Sequence, residues 1–104
     1  MIRKAFKMKI HDGKLAEYTQ RHNPIWDELQ SVLIEHGVHN YSIFHDEETN
    51  YLFAYAEIES EAKWSAIAST EVCQKWWSHM GELMATNADN SPVSTDLNEV
   101  FHLA

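Results

Sequence analysis

The segment Tyr51-Leu52-Phe53-Ala54-Tyr55-Ala56-Glu57-Ile58 constrains the fold more than any other part of the chain. In an extended strand Tyr51, Phe53, Tyr55 and Glu57 share one face, and Leu52, Ala54, Ala56 and Ile58 share the other. Both faces are largely apolar, so this strand is expected to be central and covered on both sides.

The rest of the pattern supplies its neighbours. Ile2, Phe6, Met8 and Ile10 alternate with Arg3, Lys7 and Lys9, a strand with one wet face. His11-Asp12-Gly13 breaks it, with Asp12 a possible N-cap. Leu15, Tyr18, His22, Ile25 or Trp26, Leu29, Val32 and Leu33 then follow helical spacing. Pro24 restricts Asn23 and interrupts the run, which predicts two helical pieces, 14–22 and 24–36, stopped by Gly37. Val38–His45 reads as a second strand, with His39, Tyr41, Ile43 and His45 on one face. The polar turn 46–50 joins it to the central strand. Ser60 caps a short helix carrying Trp64 and Ile67, and Ser69 or Thr70 starts another through about Met84. Residues 85–95 read as a loop, long enough to suggest a functional role, and 97–103 as a last strand.

The order strand, helices, strand, strand, helices, strand is the ferredoxin-like split βαβ arrangement. It is an α+β fold with a four-stranded antiparallel sheet and helices on one face. The central strand is apolar on the other face too. A second copy of the chain is the simplest cover, which predicts a homodimer packed sheet to sheet. At 104 residues, one domain spanning 1–104 is expected.

Charge narrows the partners. Eight Lys and Arg oppose sixteen Asp and Glu, and protonating all seven His would still leave the chain negative. Such a chain is repelled by nucleic acid and by anionic membrane surfaces, and neither is expected as a partner. A single cysteine, Cys73, forms no internal disulfide, and no apolar stretch is long enough for a signal peptide or a membrane span. The expected location is the cytoplasm.

The side chains offer little conventional catalytic chemistry. No pair of His on a predicted helix has metal-ligand spacing, and Cys73 has no partner thiol or nearby base. With three glycines there is no phosphate-binding loop. No metal and no cofactor are expected. His22 differs from the other histidines: it lies four residues after Tyr18 on one helical stripe, just before a break. Spacing alone fits a histidine satisfied in the core as well as one that gives or takes a proton near neutrality. Trp76 and Trp77 project about 100° apart on a helix, so one can face the core and the other a cleft. Packing, a dimer interface and a sugar-stacking surface all fit that pair. Trp26, Trp64 and Phe6 fall on apolar stripes and are expected in the core. The inventory suits proton transfer on a neutral, ring-shaped small molecule.

Several segments resemble the L-rhamnose mutarotase family. They are Met1-Ile2-Arg3-Lys4-Ala5-Phe6, Tyr18 with Arg21-His22-Asn23-Pro24-Ile25-Trp26, and His39-Asn40-Tyr41. Ala68-Ser69-Thr70 with Cys73-Gln74 and Trp76-Trp77, Asn87 with Asp89-Asn90-Ser91-Pro92-Val93-Ser94, and Glu99-Val100-Phe101 continue the resemblance over essentially the whole chain. Departures fall at 11–14 and in the acidic turn, away from the motifs.

The resemblance implies a small dimeric α+β barrel that interconverts the α and β anomers of L-rhamnose in bacterial rhamnose metabolism. It implies His22 as the proton donor and Tyr18, Tyr41, Trp76 and Trp77 as the sugar-contacting residues. Opening a hemiacetal ring needs a proton on the ring oxygen and loss of one from the anomeric hydroxyl. The expectation is that His22, as imidazolium, supplies the first. The rival readings are a small dimeric-barrel monooxygenase or haem-degrading enzyme, and a sugar-binding module without catalysis. Measuring exchange between α- and β-rhamnose, with and without protein, separates them.

Overall fold

The computed structural model describes residues 1–104. Its elements run β1 (Ile2–Lys9), α1 (Leu15–Arg21), α2 (Asp27–Glu35), β2 (Val38–His45), β3 (Tyr51–Ile58), α3 (Glu61–Ile67), α4 (Glu71–Met80), a 3₁₀ turn (Gly81–Leu83) and β4 (Thr95–Leu97). The sheet order is β2-β3-β1-β4, and every neighbouring pair is antiparallel. The doubly apolar segment 51–58 is a central strand, as expected.

Parity explains the core. Phe6 and Met8 of β1 and Leu52, Ala54, Ala56 and Ile58 of β3 are buried, all on one face of the sheet. Against them pack Tyr18 of α1, Leu29 of α2, Ile67 of α3 and Val72, Trp76 and Met80 of α4. The opposite face carries Ala5, Lys7, Phe53 and Tyr55, and no helix covers it.

Strand β2 departs from simple alternation. His39 pairs with Glu57 and Ser42 with Tyr55, so two residues, Asn40 and Tyr41, stand opposite Ala56 alone. This is a β-bulge. Asn40 adopts φ +48°, a left-handed conformation that asparagine tolerates better than most residues. Its side-chain amide donates to Glu57 Oε1 at 2.8 Å and ties the bulge to β3. The extra residue reverses the parity. Val38 and His39 keep their own faces, but Tyr41 and Ile43 swing round to the helix side with Val38. The expected grouping of His39 with Tyr41, Ile43 and His45 is therefore wrong for His39.

The ends of elements show further differences. Asp12 does not cap α1; it accepts a hydrogen bond from Asn50 Nδ2 instead, and α1 has no side-chain cap. Residues 24–26 lie outside α2, because Trp26 is extended (φ −59°, ψ 137°) and leads into it. The Asn23–Pro24 peptide is cis. Ser60 and Thr70 do cap α3 and α4, accepting from the backbone of Lys63 at 3.1 Å and Cys73 at 3.4 Å. α4 ends at Met80, short of the predicted Met84, which is extended and bridges Ile10. Residues 85–93 are not an open loop but a small hairpin, closed by Val93 N–H donating to Ala85 O at 3.0 Å.

The last strand is the largest correction. Only Thr95–Leu97 pairs with β1, and residues 98–104 join no ladder. Val100, Phe101 and Leu103 are 94%, 79% and 81% exposed. Apolar alternation reports a surface that wants covering. Within one chain nothing covers this segment, so the pattern alone cannot produce a strand.

Candidate active site

The site starts from the last turn of α1. Tyr18 is the one buried residue of that helix, and His22 is its cap residue four positions on. One helical turn lays the imidazole over the phenol, with ring centres 4.3 Å apart and an interplanar angle of 28°. His22 Nδ1 lies 2.9 Å from the carbonyl oxygen of Tyr18. A carbonyl only accepts, so Nδ1 carries the hydrogen and donates. Nε2 is therefore the nitrogen left free, with no protein hydrogen-bond partner. The other edge of the ring meets Trp76 of α4 at 5.2 Å in a near-perpendicular contact.

Trp76 anchors the opposite wall. It is buried, and it also meets Trp26 edge-on at 5.1 Å. His79, one turn along α4, lies against Trp26 at 5.2 Å. The bulge delivers the third element. Tyr41 packs against Phe6 at 6.4 Å and Trp64 at 5.9 Å. It packs on the same core cluster as Tyr18 and Trp76. Trp77 is half-buried and packs on the same core beside Trp76.

The polar atoms of these rings are unusually free. The hydroxyls of Tyr18 and Tyr41 and the indole N–H groups of Trp76 and Trp77 donate to no protein acceptor. Yet no enclosed side-chain polar atom in the protein lacks a partner. Each of these donors therefore retains access to solvent. Tyr18 and Trp76, both in ring contact with His22, leave a hydroxyl and an indole N–H unpaired around an imidazole whose Nε2 is open, a combination that suits a small polyhydroxylated ring.

Burial sets the protonation states. It pushes the Tyr18 and Tyr41 hydroxyls above their usual range, so both remain protonated donors at neutral pH. Burial lowers the His22 pKa below 6.5, and the Tyr18 carbonyl only partly opposes this. The direction of that shift favours the neutral imidazole near neutrality. Cys73 is buried and its thiol is pushed up to about 11, so it is not a nucleophile. No three His, Cys, Asp or Glu side chains come together as metal ligands do.

Volume does not locate this cluster. A cleft of about 270 Å³ lies by the chain end, lined by Arg3, Tyr55, Leu97, Glu99 and Phe101. An open depression of about 390 Å³ adjoins Trp26, Asp27 and Glu28. Neither includes His22. The cluster is identified by its unpaired donors and free Nε2, features that neither depression combines.

Tyr18, His22 and Trp76 are thus in mutual contact through His22, while Tyr41 and Trp77 pack on the same core as an adjoining wall. Sequence reasoning missed one neighbour, His79, which lies against both Trp26 and Trp76. Trp26, expected in the core, does pack on it, half-buried against Trp76 and His79. Trp64 does serve packing, supporting Tyr41 from behind.

Comparison with known proteins agrees over the full length. The chain matches the rhaM family model, L-rhamnose mutarotase, over residues 3–103. It is 61% identical over 104 residues to the L-rhamnose mutarotase of Citrobacter koseri, covering 100% of both chains. The crystal structure of an L-rhamnose mutarotase from Formosa agariphila superposes with a TM-score of 0.92 at 44% identity, covering 100% of both chains. A putative antibiotic biosynthesis monooxygenase from Nitrosomonas europaea reaches a TM-score of 0.64 at 11% identity, over 97% of this chain and 100% of that one. At that identity the likeness is one of fold.

Proposed function

Because the chain belongs to the L-rhamnose mutarotase family and interconverts the α and β anomers of L-rhamnose, we propose that His22 is the residue that moves the proton. Tyr18, Tyr41, Trp76 and Trp77 hold the sugar around it. The carrying observation is the His22 ring itself. Nδ1 is committed to the Tyr18 carbonyl at 2.9 Å, which leaves Nε2 free on a ring in contact with Tyr18 and Trp76.

Ring opening moves one proton from the anomeric hydroxyl to the ring oxygen while the bond between C1 and that oxygen breaks. Both oxygens sit on C1, so a single nitrogen can serve both. Neutral His22 takes the hydroxyl proton at Nε2 and becomes the imidazolium. It then donates that proton to the departing ring oxygen, which keeps it as the proton donor of the bond-breaking step. Rotation about C1–C2 turns the aldehyde over, and reclosure runs the same transfers in reverse. The Tyr18 and Tyr41 hydroxyls, held protonated, donate to the carbonyl oxygen of the open form. The apolar faces of Trp76 and Trp77 suit the methyl group that rhamnose carries in place of a hydroxymethyl.

This reading has a signed pH dependence. The active free enzyme holds neutral His22, so kcat/KM is flat above neutrality. It falls as pH drops through a pKa below 6.5, the direction set by burial. Saturation-transfer NMR of anomer exchange across pH 5–8 measures it. A rate that instead climbs as pH falls through that pKa would show the imidazolium to be the starting form.

The uncovered sheet face supports a homodimer. Phe44 is 65% exposed, and Phe53 and Leu97 are 38% exposed each, all on that face. With the exposed segment 98–104 they form an apolar surface of the kind a second copy buries. Each chain acts as one catalytic domain spanning 1–104. No helix is long and apolar enough to cross a membrane. The lone buried thiol suits the bacterial cytoplasm, where rhamnose is metabolised. Sedimentation at micromolar concentration is expected to give twice the chain mass; a monomer there removes the dimer from the reading.

A further inference from the structure

We propose that Arg21 is a positioning residue for the proton transfer, its guanidinium locking the end of α1 that carries His22 onto the end of α4 that carries Trp76. The proposal rests on the assignment of His22 above and extends it to a residue that touches neither the imidazole nor the indole.

Helix α1 is held loosely by its own sequence. It has no side-chain N-cap, and Tyr18 is the only residue it buries. One anchor on a short helix fixes a pivot but leaves rotation about it free. His22 sits beyond that pivot, at the end of the helix. Arg21 supplies the second anchor. Its Nη1 donates to the carbonyl oxygen of His79 at 2.5 Å, in the last turn of α4. Its Nη2 donates to Glu82 Oε1 at 2.6 Å, in the 3₁₀ turn that follows, and to Glu17 Oε1 at 3.0 Å on α1 itself. The first two bonds join α1 to the far end of α4, and the third steadies the arginine on its own helix.

The consequence falls on the adjacent residue. His22 meets Trp76 at 5.2 Å, and Trp76 lies one helical turn before His79 on α4. The clamp therefore closes within one turn of both members of the His22–Trp76 contact. A guanidinium offers several N–H donors in a rigid fork, so it can hold a carbonyl and two carboxylates at once. A lysine ammonium is a point charge on a flexible stem and does not reproduce that geometry. Glu17 and Glu82 are 49% and 69% exposed, so solvent screens both pairs and they add little to stability. What the clamp provides is placement, and small misplacements of a catalytic group cost up to about 10²-fold in rate.

The test measures kcat and KM for rhamnose anomer exchange, thermal stability, and the His22 ring-proton resonance. The variants are Arg21→Met, Arg21→Lys and Glu82→Gln. Arg21→Met keeps the apolar stem and is expected to lower kcat about 10- to 100-fold with KM changed less than about threefold. The His22 resonance moves with it, because that proton sits in the ring-current field of Trp76. Arg21→Lys recovers only part of the rate, and Glu82→Gln shifts kcat and resonance the same way by less. An Arg21→Met variant with kcat within twofold of wild type, or with kcat lost while the resonance stays in place, overturns the proposal. So does a loss confined to KM, which would mean that Arg21 touches the sugar. If Arg21→Met fails to fold, Glu82→Gln decides: rate and resonance moving together support the clamp, and neither moving sinks it. His22→Ala run alongside separates the two ideas, since unchanged exchange there indicts the histidine and not the clamp.

Discussion

Replacing His22 with alanine is expected to remove roughly 10²–10⁴-fold of the enzymatic acceleration, the usual worth of one positioned acid–base group. That corresponds to about 3–5.5 kcal/mol of barrier. The effect is large against what the enzyme must supply, because sugar anomers already interconvert unaided in water. Fold should survive. His22 is half-buried, donates to no carboxylate, and its one side-chain hydrogen bond goes to the carbonyl of its own helix. Saturation transfer between the α and β anomeric protons of rhamnose reads the rate, and circular dichroism with sedimentation reads fold and assembly. Unchanged exchange in a folded His22→Ala protein would refute the assignment while leaving the activity of the family intact.

The second large effect belongs to Trp76. Its ring is buried and touches three elements at once: His22 at the end of α1, Trp26 before α2, and His79 on its own helix. Truncation to alanine leaves a cavity that α4 cannot close without pulling Val72 and Met80 off β1 and β3. A loss of about 3–5 kcal/mol is expected. Against a total of about 5–15 kcal/mol for an ordinary domain, that is a large share. At roughly 4–8 °C for each kcal/mol, the melting temperature should fall by well over 10 °C. Exchange should fall as well, since His22 loses the edge that orients it. Trp77→Ala, at a half-buried position, should cost less stability while still weakening sugar binding. Thermal melts of the two variants make the comparison. Equal and small shifts would mean that Trp76 does not hold these segments together.

These effects separate what pattern can reveal from what it cannot. The double-faced strand β3, the hairpin to β2 and the helical stripe joining Tyr18 to His22 were legible, because each is a local period that geometry converts directly into a face. Trp76 and Trp77 were legible as an oddity, since two adjacent indoles do not share a helix face. The bulge at Asn40 was not. One extra residue leaves composition and local alternation almost unchanged, yet it carries Tyr41 to the side of the sheet where Tyr18 lies. The start of α2 was misplaced because the stripe through Ile25 and Trp26 continues across a break that only backbone angles reveal. The last strand was overcalled because its apolar residues find no partner within one chain.

By itself, then, the sequence determined the element order, the split βαβ class, the buried face of β1 and β3, and the pairing of Tyr18 with His22. All of these follow from spacing along one segment. Its motifs also carried the family, and with it the reaction. Tertiary structure decided which nitrogen of His22 is free, that burial lowers its pKa, that Tyr41 lies on the helix side of the sheet, and that Arg21 ties the two helices together. Each of those depends on groups far apart in the chain meeting at hydrogen-bond or van der Waals distance. A period along the backbone carries no information about that distance.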